Sequence, residues 1–487
     1  MTLGLSAAAG DGPEGLPAGW ARATLAELDV EVQPGFASGK HNRDGDGIVH
    51  LRPMNITRNG AIDLSDARYV KDDSDRRVEY GDVLFNNTNS PALVGKTAWF
   101  GSLDPAAYSN HMTRLRGPEE LDSKFLAIQL HWLWSSGYFK TILNNHVNQA
   151  SVARKALLAT EIAVPPLPEQ RRIVVEVERQ VAGIDAGEAA ASTALVKAAA
   201  LAEQVTALGS RGCLEEVELF PVPLPKADID DGSIPDLPIG WKWSRLGEIA
   251  SVVGGITKDS KRQSDPEYVE VPYLRVANVQ RGQLVLDKVM AIRVSPEKAK
   301  ALRLEHGDVL LNEGGDRDKL GRGWVWDGQI ENCIHQNHVF RARVTGEEIH
   351  PKLLAWHANG FGKAWCDRNG TQSVNLASIS LRKIKLLPVP IPPREIQEEL
   401  VKTIELHLEN VAVARTMAES ALARAQDLRA SLLHAAFTGA LVRQDPADEP
   451  ASVLLDRIRA EQRAKVPRQR AARKPRPAPP GQEELPS

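Results

Sequence analysis

Two stretches of this chain place an apolar residue every three or four positions over roughly forty residues, the spacing of one face of an α-helix. In the first the stripe runs through Ile173, Val177, Val181, Ile184, Leu195, Leu201 and Val205; in the second it runs through Leu400, Ile404, Leu408, Val411, Leu422, Leu428 and Leu432. Alanine fills many gaps, which permits close helix contact. Each stretch follows a proline cluster, Val164-Pro165-Pro166-Leu167-Pro168 or Leu387-Pro388-Val389-Pro390-Ile391-Pro392-Pro393. Proline suits the first turn of a helix and breaks it further in, so a helix is expected to begin just after each cluster. Roughly forty residues at about 1.5 Å each make a rod of about 60 Å. Such a helix must bury its stripe, and the matching stripes are expected to pack on each other, antiparallel. Ahead of the helices the pattern shortens. Val271-Pro272-Tyr273-Leu274-Arg275-Val276 and Gly307-Asp308-Val309-Leu310-Leu311 read as strands, and 125–134 and 352–358 as helices.

The matching stripes belong to a repeat of the whole chain. Leu16-Pro17-Ala18-Gly19-Trp20 returns as Leu237-Pro238-Ile239-Gly240-Trp241, and Leu51-Arg52 with Asn55 as Leu274-Arg275 with Asn278. Gly81-Asp82-Val83-Leu84 with Asn86 returns as Gly307-Asp308-Val309-Leu310 with Asn312. Asn110-His111 and Arg114 return as Asn337-His338 and Arg341, and Pro165-Pro166 with Gln170 as Pro392-Pro393 with Gln397. The offset drifts from 221 to 227 and then holds, as expected when loops vary and a framework does not. The expected fold class is therefore α+β: two repeated mixed domains, each followed by a long helix, the helices forming an antiparallel coiled coil. The boundaries expected are a flexible start at 1–15, a first domain at 16–165, its helix at 166–212, a linker at 213–235, a second domain at 236–392, its helix at 393–439, and a C-terminal segment at 440–487. A short helix is expected from 451 to about 464, ahead of a basic, then proline-rich tail.

Composition adds little. Of the 487 residues 42% are hydrophobic and 25% charged, ordinary for a globular protein, and no apolar run of 18 or more residues points to a membrane. The first ten residues lack the pattern of a secretion signal, and three scattered cysteines, Cys213, Cys333 and Cys366, fit a reducing cytoplasm better than a disulfide framework. A net charge of −3 does not favour a nucleic-acid partner, although binding depends on where positive charge is placed.

The repeat carries a resemblance. The duplicated domain-plus-helix frame, with Glu169-Gln170-Arg171-Arg172-Ile173-Val174 after its prolines, Asn86-Asn87-Thr88-Asn89-Ser90-Pro91 ahead of Leu93-Val94-Gly95-Lys96-Thr97, and a C-terminal segment containing Gln444-Asp445-Pro446 and Asp448-Glu449-Pro450, resembles the specificity subunit of type I restriction–modification systems. The resemblance implies two target-recognition domains that each read half of a split sequence in double-stranded DNA. It also implies a helical spacer and docking of two methyltransferase subunits and of restriction and translocase subunits, with no membrane partner. The chemistry, methylation of adenine N6 and cleavage after translocation, belongs to those partners.

The residues agree that chemistry lies elsewhere. The proline pairs at 165, 392 and 479 lack the Asn or Asp before and the aromatic after that hold a flipped base, and no glycine-rich cofactor turn is found. Gly95-Lys96-Thr97 resembles the end of a phosphate-binding loop, but Ser90 stands where its first glycine is required. Asp44-Gly45-Asp46-Gly47 lacks the further ligands of a calcium loop. Cys333, His335 and His338 are too few for a metal site, and the other repeat has no matching cysteine. No catalytic residue, cofactor or metal is expected. Rival readings are a self-contained DNA methyltransferase or nuclease, the recognition subunit of a related phage-defence methylation system, and a coiled-coil scaffold with no DNA role.

If the two domains read different sequences, shared positions serve the frame or grip phosphate, and base readers lie where the copies differ. The shared basic pairs are Arg52 with Arg275, Lys96 with Arg322, and Arg114 with Arg341. The divergent loops are 35–43, with Lys40, Asn42 and Arg43, opposite 257–263, with Lys258, Lys261, Arg262 and Gln263. A second pair is 86–89, with Asn86, Asn87 and Asn89, opposite 316–319, with Arg317 and Lys319. Asn and Gln suit adenine in the major groove, Arg and Lys guanine. A polar loop shared by the copies, Asn148-Gln149 opposite Gly370-Thr371-Gln372-Ser373, reads as framework. Replacing Arg317 by Ala is expected to relax or abolish one half-site and leave the other readable. A modification map showing both halves unchanged would remove Arg317 from the readers.

Overall fold

The computed structural model describes residues 15–38, 40–71, 74, 76–145, 149–260, 263–315, 319–372 and 377–465. Asn148, Lys261, Arg262, Arg317 and the tail from 466 on therefore lie outside the described residues. The chain divides into two compact units, Met1–Ala189 with Leu422–Ser487, and Ala190–Ala421.

The body of the first unit is built on a four-stranded antiparallel sheet in the order Glu31–Pro34, Met112–Arg116, Val83–Asn86, Thr97–Trp99. A second sheet pairs Ile48–Leu51 with Ala107–Tyr108 in parallel and with Tyr69–Val70 antiparallel. The strand Ala21–Thr24 pairs antiparallel with Glu161–Val164 at the foot of the first long helix. The body of the second unit repeats every one of these pairings. Its four-stranded sheet runs Ala250–Gly254, Val339–Val344, Asp308–Asn312, Gly323–Trp326. Val269–Leu274 pairs in parallel with Ile334–His335 and antiparallel with Met290–Val294, and Lys242–Arg245 pairs with Pro388–Ile391. The helices expected at 125–134 and 352–358 span Ser123–Ser135 and Pro351–Asn359.

The repeated motifs now have physical reasons. In Gly-Asp-Val-Leu the glycine takes a left-handed backbone, φ 92° at Gly81 and 87° at Gly307, which a side chain would strain. The following aspartate is buried and grips an arginine of the neighbouring strand through both oxygens. Asp82 meets Arg116 at 2.7 and 2.9 Å, and Asp308 meets Arg343 at 2.7 and 2.8 Å. Asn55 and Asn278 are buried too, each accepting the backbone N–H of the arginine three residues before it, Arg52 at 2.9 Å and Arg275 at 3.0 Å. Gln170 and Gln397 bridge each body to its helix. They accept from the backbone N–H of Asp122 and His350, at 2.8 and 2.6 Å, and donate to the carbonyls of Pro165 and Pro392, at 3.0 and 3.1 Å.

The long helices span Leu167–Gly209 and Arg394–Phe437, each opening within or just after its proline cluster. Within the first unit Arg429 of the second helix meets Asp185 and Glu188 of the first, at 2.6 and 3.2 Å. Within the second unit a Cβ on Gly209 would lie 2.5 Å from the side chain of Ile404. Late positions of one helix thus meet early positions of the other in both units, and the pair is an antiparallel coiled coil. Burial follows a seven-residue period, Ala191, Ala198 and Val205 in the first helix, Val411, Ala418, Ala425 and Leu432 in the second. That period winds a left-handed supercoil. Leu201 and Leu428, assigned to the stripes from sequence, are 48% and 59% exposed. Each stands three residues beyond a buried alanine, Ala198 or Ala425, whereas the line of contact continues at the fourth, Ala202 or Arg429.

The segments that follow the helices fold back onto the bodies. In the first unit Gln444 and Trp20 both donate to the buried carboxylate of Glu169, at 3.2 and 3.1 Å, and Arg172 pairs with Asp448 at 2.7 Å. The C-terminal helix Ala451–Lys465 adds Leu454, Leu455 and Ile458 to that core. In the second unit Leu219–Phe220 pairs with Leu237–Pro238, and Asp231 takes both Nη atoms of Arg245 at 2.7 and 2.8 Å.

The duplicated Asp–Arg clamp generates a test. Asp82→Ala and Asp308→Ala are each expected to lower the opening free energy of their own body by about 1–2 kcal/mol, because the turn loses the buried carboxylate that accepts both from the arginine and from the backbone N–H of Glu79 or Glu305, at 2.8 or 2.7 Å. Backbone hydrogen exchange should rise in 83–86 and 112–116 for the first variant, and in 308–312 and 339–344 for the second. Unchanged exchange would refute the clamp.

Candidate nucleic-acid interface

In each body the described parts of the divergent loops gather at one end of the four-stranded sheet. The backbone of Gly35-Phe36 runs against Tyr108-Ser109, and that of Gly255-Ile256 against His335-Gln336, so closely that a Cβ on Gly35 or Gly255 would come within 2.1 or 2.0 Å of a carbonyl oxygen. Phe36 accepts from the N–H of Asn110 at 3.0 Å, and Ile256 from that of Asn337 at 3.1 Å. The next loop joins the same cluster, with Asn87 N–H donating to His111 at 3.0 Å and Glu313 N–H to His338 at 2.9 Å. A small three-stranded sheet completes each end, formed by Thr88–Asn89, Ala150–Ser151 and Asn144–Asn145, or by Gly314–Gly315, Ala377–Ser378 and Thr371–Gln372. Of the polar loop read as framework from sequence, Thr371 and Gln372 contribute backbone to this sheet, and Gln149, Thr371 and Gln372 are exposed.

The candidate residues fall into three groups. Lys40, Arg43 and Lys258 are exposed. Asn42, Arg52, Asn87, Asn89, Gln263, Arg275, Lys319 and Arg322 are partly exposed. Asn86 and Lys96 are buried, as are the shared arginines Arg114 and Arg341. Asn86 donates to the Pro53 carbonyl at 3.0 Å, and Asn312 in the other body to that of Val279 at 2.9 Å. Lys96 donates to the Ile56 carbonyl, and burial, with Arg58 nearby, holds its ammonium below the usual lysine range. Arg114 pairs with Glu31 at 2.8 Å, and Arg341 donates to the Arg303 carbonyl at 3.0 Å. These four spend their polar groups inside the body. Asn42 closes its own loop, donating to Asp46 at 2.7 Å and Tyr69 at 3.2 Å, and Gln263 does likewise on Arg293 at 3.1 Å.

The sharpest electrostatic feature of the first body is Asp66, which meets Arg43, Arg52 and Arg68 at 3.2, 3.4 and 3.4 Å. One carboxylate cannot neutralise three guanidiniums, so the cluster keeps an excess of positive charge beside the 35–43 loop. Arg68 escaped the sequence reading because it has no counterpart in the second repeat and stands outside the divergent loops. Of the residues weighed as metal ligands, Cys333 and His335 are buried in the body. Cys333 is pushed up to about 12 and His335 down to about 4, and His335 Nδ1 bonds to the Val339 carbonyl at 2.7 Å, while His338 lies apart on Glu313 at 2.7 Å. Among the described residues no helix is long and apolar enough to cross a membrane.

Comparison with known proteins places this geometry. The family described as the type I restriction modification DNA specificity domain matches residues 36–184 and 238–416, one match for each repeat. The StySPI specificity subunit of Salmonella potsdam is 24% identical over 92% of this chain and 96% of its own length. The EcoKI specificity subunit of Escherichia coli K12 is 22% identical over 92% and 97%. Among solved structures, a chain from a study of complex assembly and conformational transition of the type I R-M system aligns with a TM-score of 0.64 at 21% identity, covering 88% of this chain and all of that one. The HsdS subunit of Thermoanaerobacter tengcongensis aligns at 0.53 and 21%, covering 88% and 99%. With both repeats matched and the whole frame shared, the chain belongs to the type I restriction–modification DNA specificity family, as a specificity subunit without catalytic chemistry of its own.

Proposed function

We propose that this chain reads a bipartite sequence in double-stranded DNA, one half with each body, and docks methyltransferase and restriction subunits in the cytoplasm. One observation carries the reading. The two bodies share a backbone framework to the level of individual hydrogen bonds, yet the loops at the same end of each sheet differ in nearly every polar side chain. A fixed frame with variable loops is what two readers of different sequences require. The names of the relatives, all specificity subunits of type I restriction enzymes, support it.

In this mechanism phosphate contacts supply affinity and loop side chains supply sequence. The exposed Lys40, Arg43 and Lys258 and the excess charge at Asp66 grip phosphate. Asn89 and Lys319 read bases, as do Lys261, Arg262 and Arg317, which lie outside the described residues, and Arg322 grips phosphate. Arg275 differs from its counterpart Arg52, which donates to the Asp66 carbonyl at 2.9 Å, and is the phosphate contact of the second body at this position. The paired long helices set the interval between the half-sites.

Two measurements test this. A base-modification map of the source genome should lose methyladenine at one split motif when the chain is deleted, and lengthening both long helices should keep the two halves and change their interval. A map that deletion leaves unchanged would refute the reading. For the grip, Lys40→Ala, Arg43→Ala and Lys258→Ala should each weaken binding on all sequences alike and reduce the slope of log affinity against log salt by about one. An unaltered slope would take that residue out of the phosphate contacts.

A further inference from the structure

The positions of Asn87 and Glu313 are equivalent in backbone and opposite in chemistry. Each follows the buried asparagine that ends a central strand, Asn86 or Asn312. Each donates its N–H to a histidine carbonyl, His111 at 3.0 Å or His338 at 2.9 Å, and each accepts from the partner loop, Val152 or Ile379, both at 2.9 Å. The Cα atoms are thus held alike, and only the side chains differ. Asn87 turns back into its own body, donating to Thr113 Oγ1 at 2.9 Å and to the Asn110 carbonyl at 3.2 Å. In the second body the strand position of Thr113 is taken by Phe340, which offers no such partner. Glu313 instead meets His338 Nδ1 at 2.7 Å, and His338 Nε2 lies 3.2 Å from Asn337 Nδ2. These partners assign His338 a tautomer with its proton on Nδ1, donating to Glu313 while Nε2 accepts from Asn337. The chain ends on acceptors: Glu313 Oε1 and Asn337 Oδ1 have no hydrogen-bond partner among the described residues. Gly314 and Gly315 follow and add no side chain of their own beside this array, and Gly315 has φ 138°.

We infer that Glu313, held by His338, is a base-reading residue of the second body, accepting a hydrogen bond from an exocyclic amino group in the major groove. Two bases present that group there, cytosine through N4 and adenine through N6, whereas guanine O6 and thymine O4 face a carboxylate with a second acceptor. Glu313 then excludes guanine and thymine from one position of one half-site. In the first body the same place is held by a folded-back amide. The inference rests on the proposed reading of the chain as a sequence reader.

The test uses the chain assembled with its methyltransferase subunits and reads the methylated motif after E313Q and E313A. Wild type is expected to require cytosine or adenine at one position of one half-site, and which of the two it requires identifies the amino group. E313A should relax that position, reducing discrimination on the order of ten- to a hundredfold, with the other half-site unchanged. E313Q, which can donate as well as accept, should favour adenine there. A wild-type motif that both variants keep unchanged overturns the assignment. So does loss of binding to random-sequence DNA, since a base reader leaves phosphate-driven affinity in place. Failure of the wild-type complex to methylate any split motif would instead refute the recognition reading itself.

Discussion

Neither long helix can keep its form alone, and the architecture follows from that. A stripe of apolar residues over more than forty positions is unstable in water unless covered. Each helix finds its cover on the other, along a line where Ala191, Ala198, Ala418 and Ala425 keep the side chains short. Glycine goes further at position 209, where the side chain of Ile404 occupies the space a methyl group would need. The ends of both helices then enter the bodies. Ile173, Val177, Leu433 and Phe437 share one core with Phe125 and Leu130, and Val205, Val401 and Ile404 share another with Leu353 and Trp356. Helix pairing and body packing are therefore one cooperative event within each unit.

Much of this was legible in the sequence because it is written twice. Gly-Asp-Val-Leu, the paired asparagines and the glutamines after the prolines stood out by recurring, and each proves to hold a backbone or side-chain contact that both bodies need. The repeat could not separate buried polar residues from exposed ones. Asn86, Lys96, Arg114 and Arg341 have the side chains of DNA-contacting residues, and only tertiary packing shows that they serve carbonyls and carboxylates within the body. Leu201 and Leu428 were misplaced because a tally of threes and fours tolerates neighbours that a seven-residue period does not. Arg68 and Glu313 were missed for the reverse reason: the copies disagree there, and composition alone does not set a divergent residue apart from ordinary drift.

Electrostatics explains why the net charge of −3 misleads. Acidic residues are used to fasten the molecule together, as Asp82, Asp308 and Asp231 do in their contacts with Arg116, Arg343 and Arg245. Charge spent on such clamps is neutralised locally and exerts little field outside. The surplus at Asp66, with three guanidiniums around one carboxylate, acts at the surface instead. A whole-chain sum weighs both kinds equally.

The way the C-terminal segment closes onto the first body bears on how the molecule is made. Gly19 accepts from the backbone N–H of Ala451 at 2.8 Å, and Leu454, Leu455 and Ile458 lie in one core with Trp20 and Leu25. During synthesis Trp20 and Leu25 emerge long before Leu454, Leu455 and Ile458, which complete their core. The unit formed by 190–421 needs no residue made after 421, so it does not depend on that late segment.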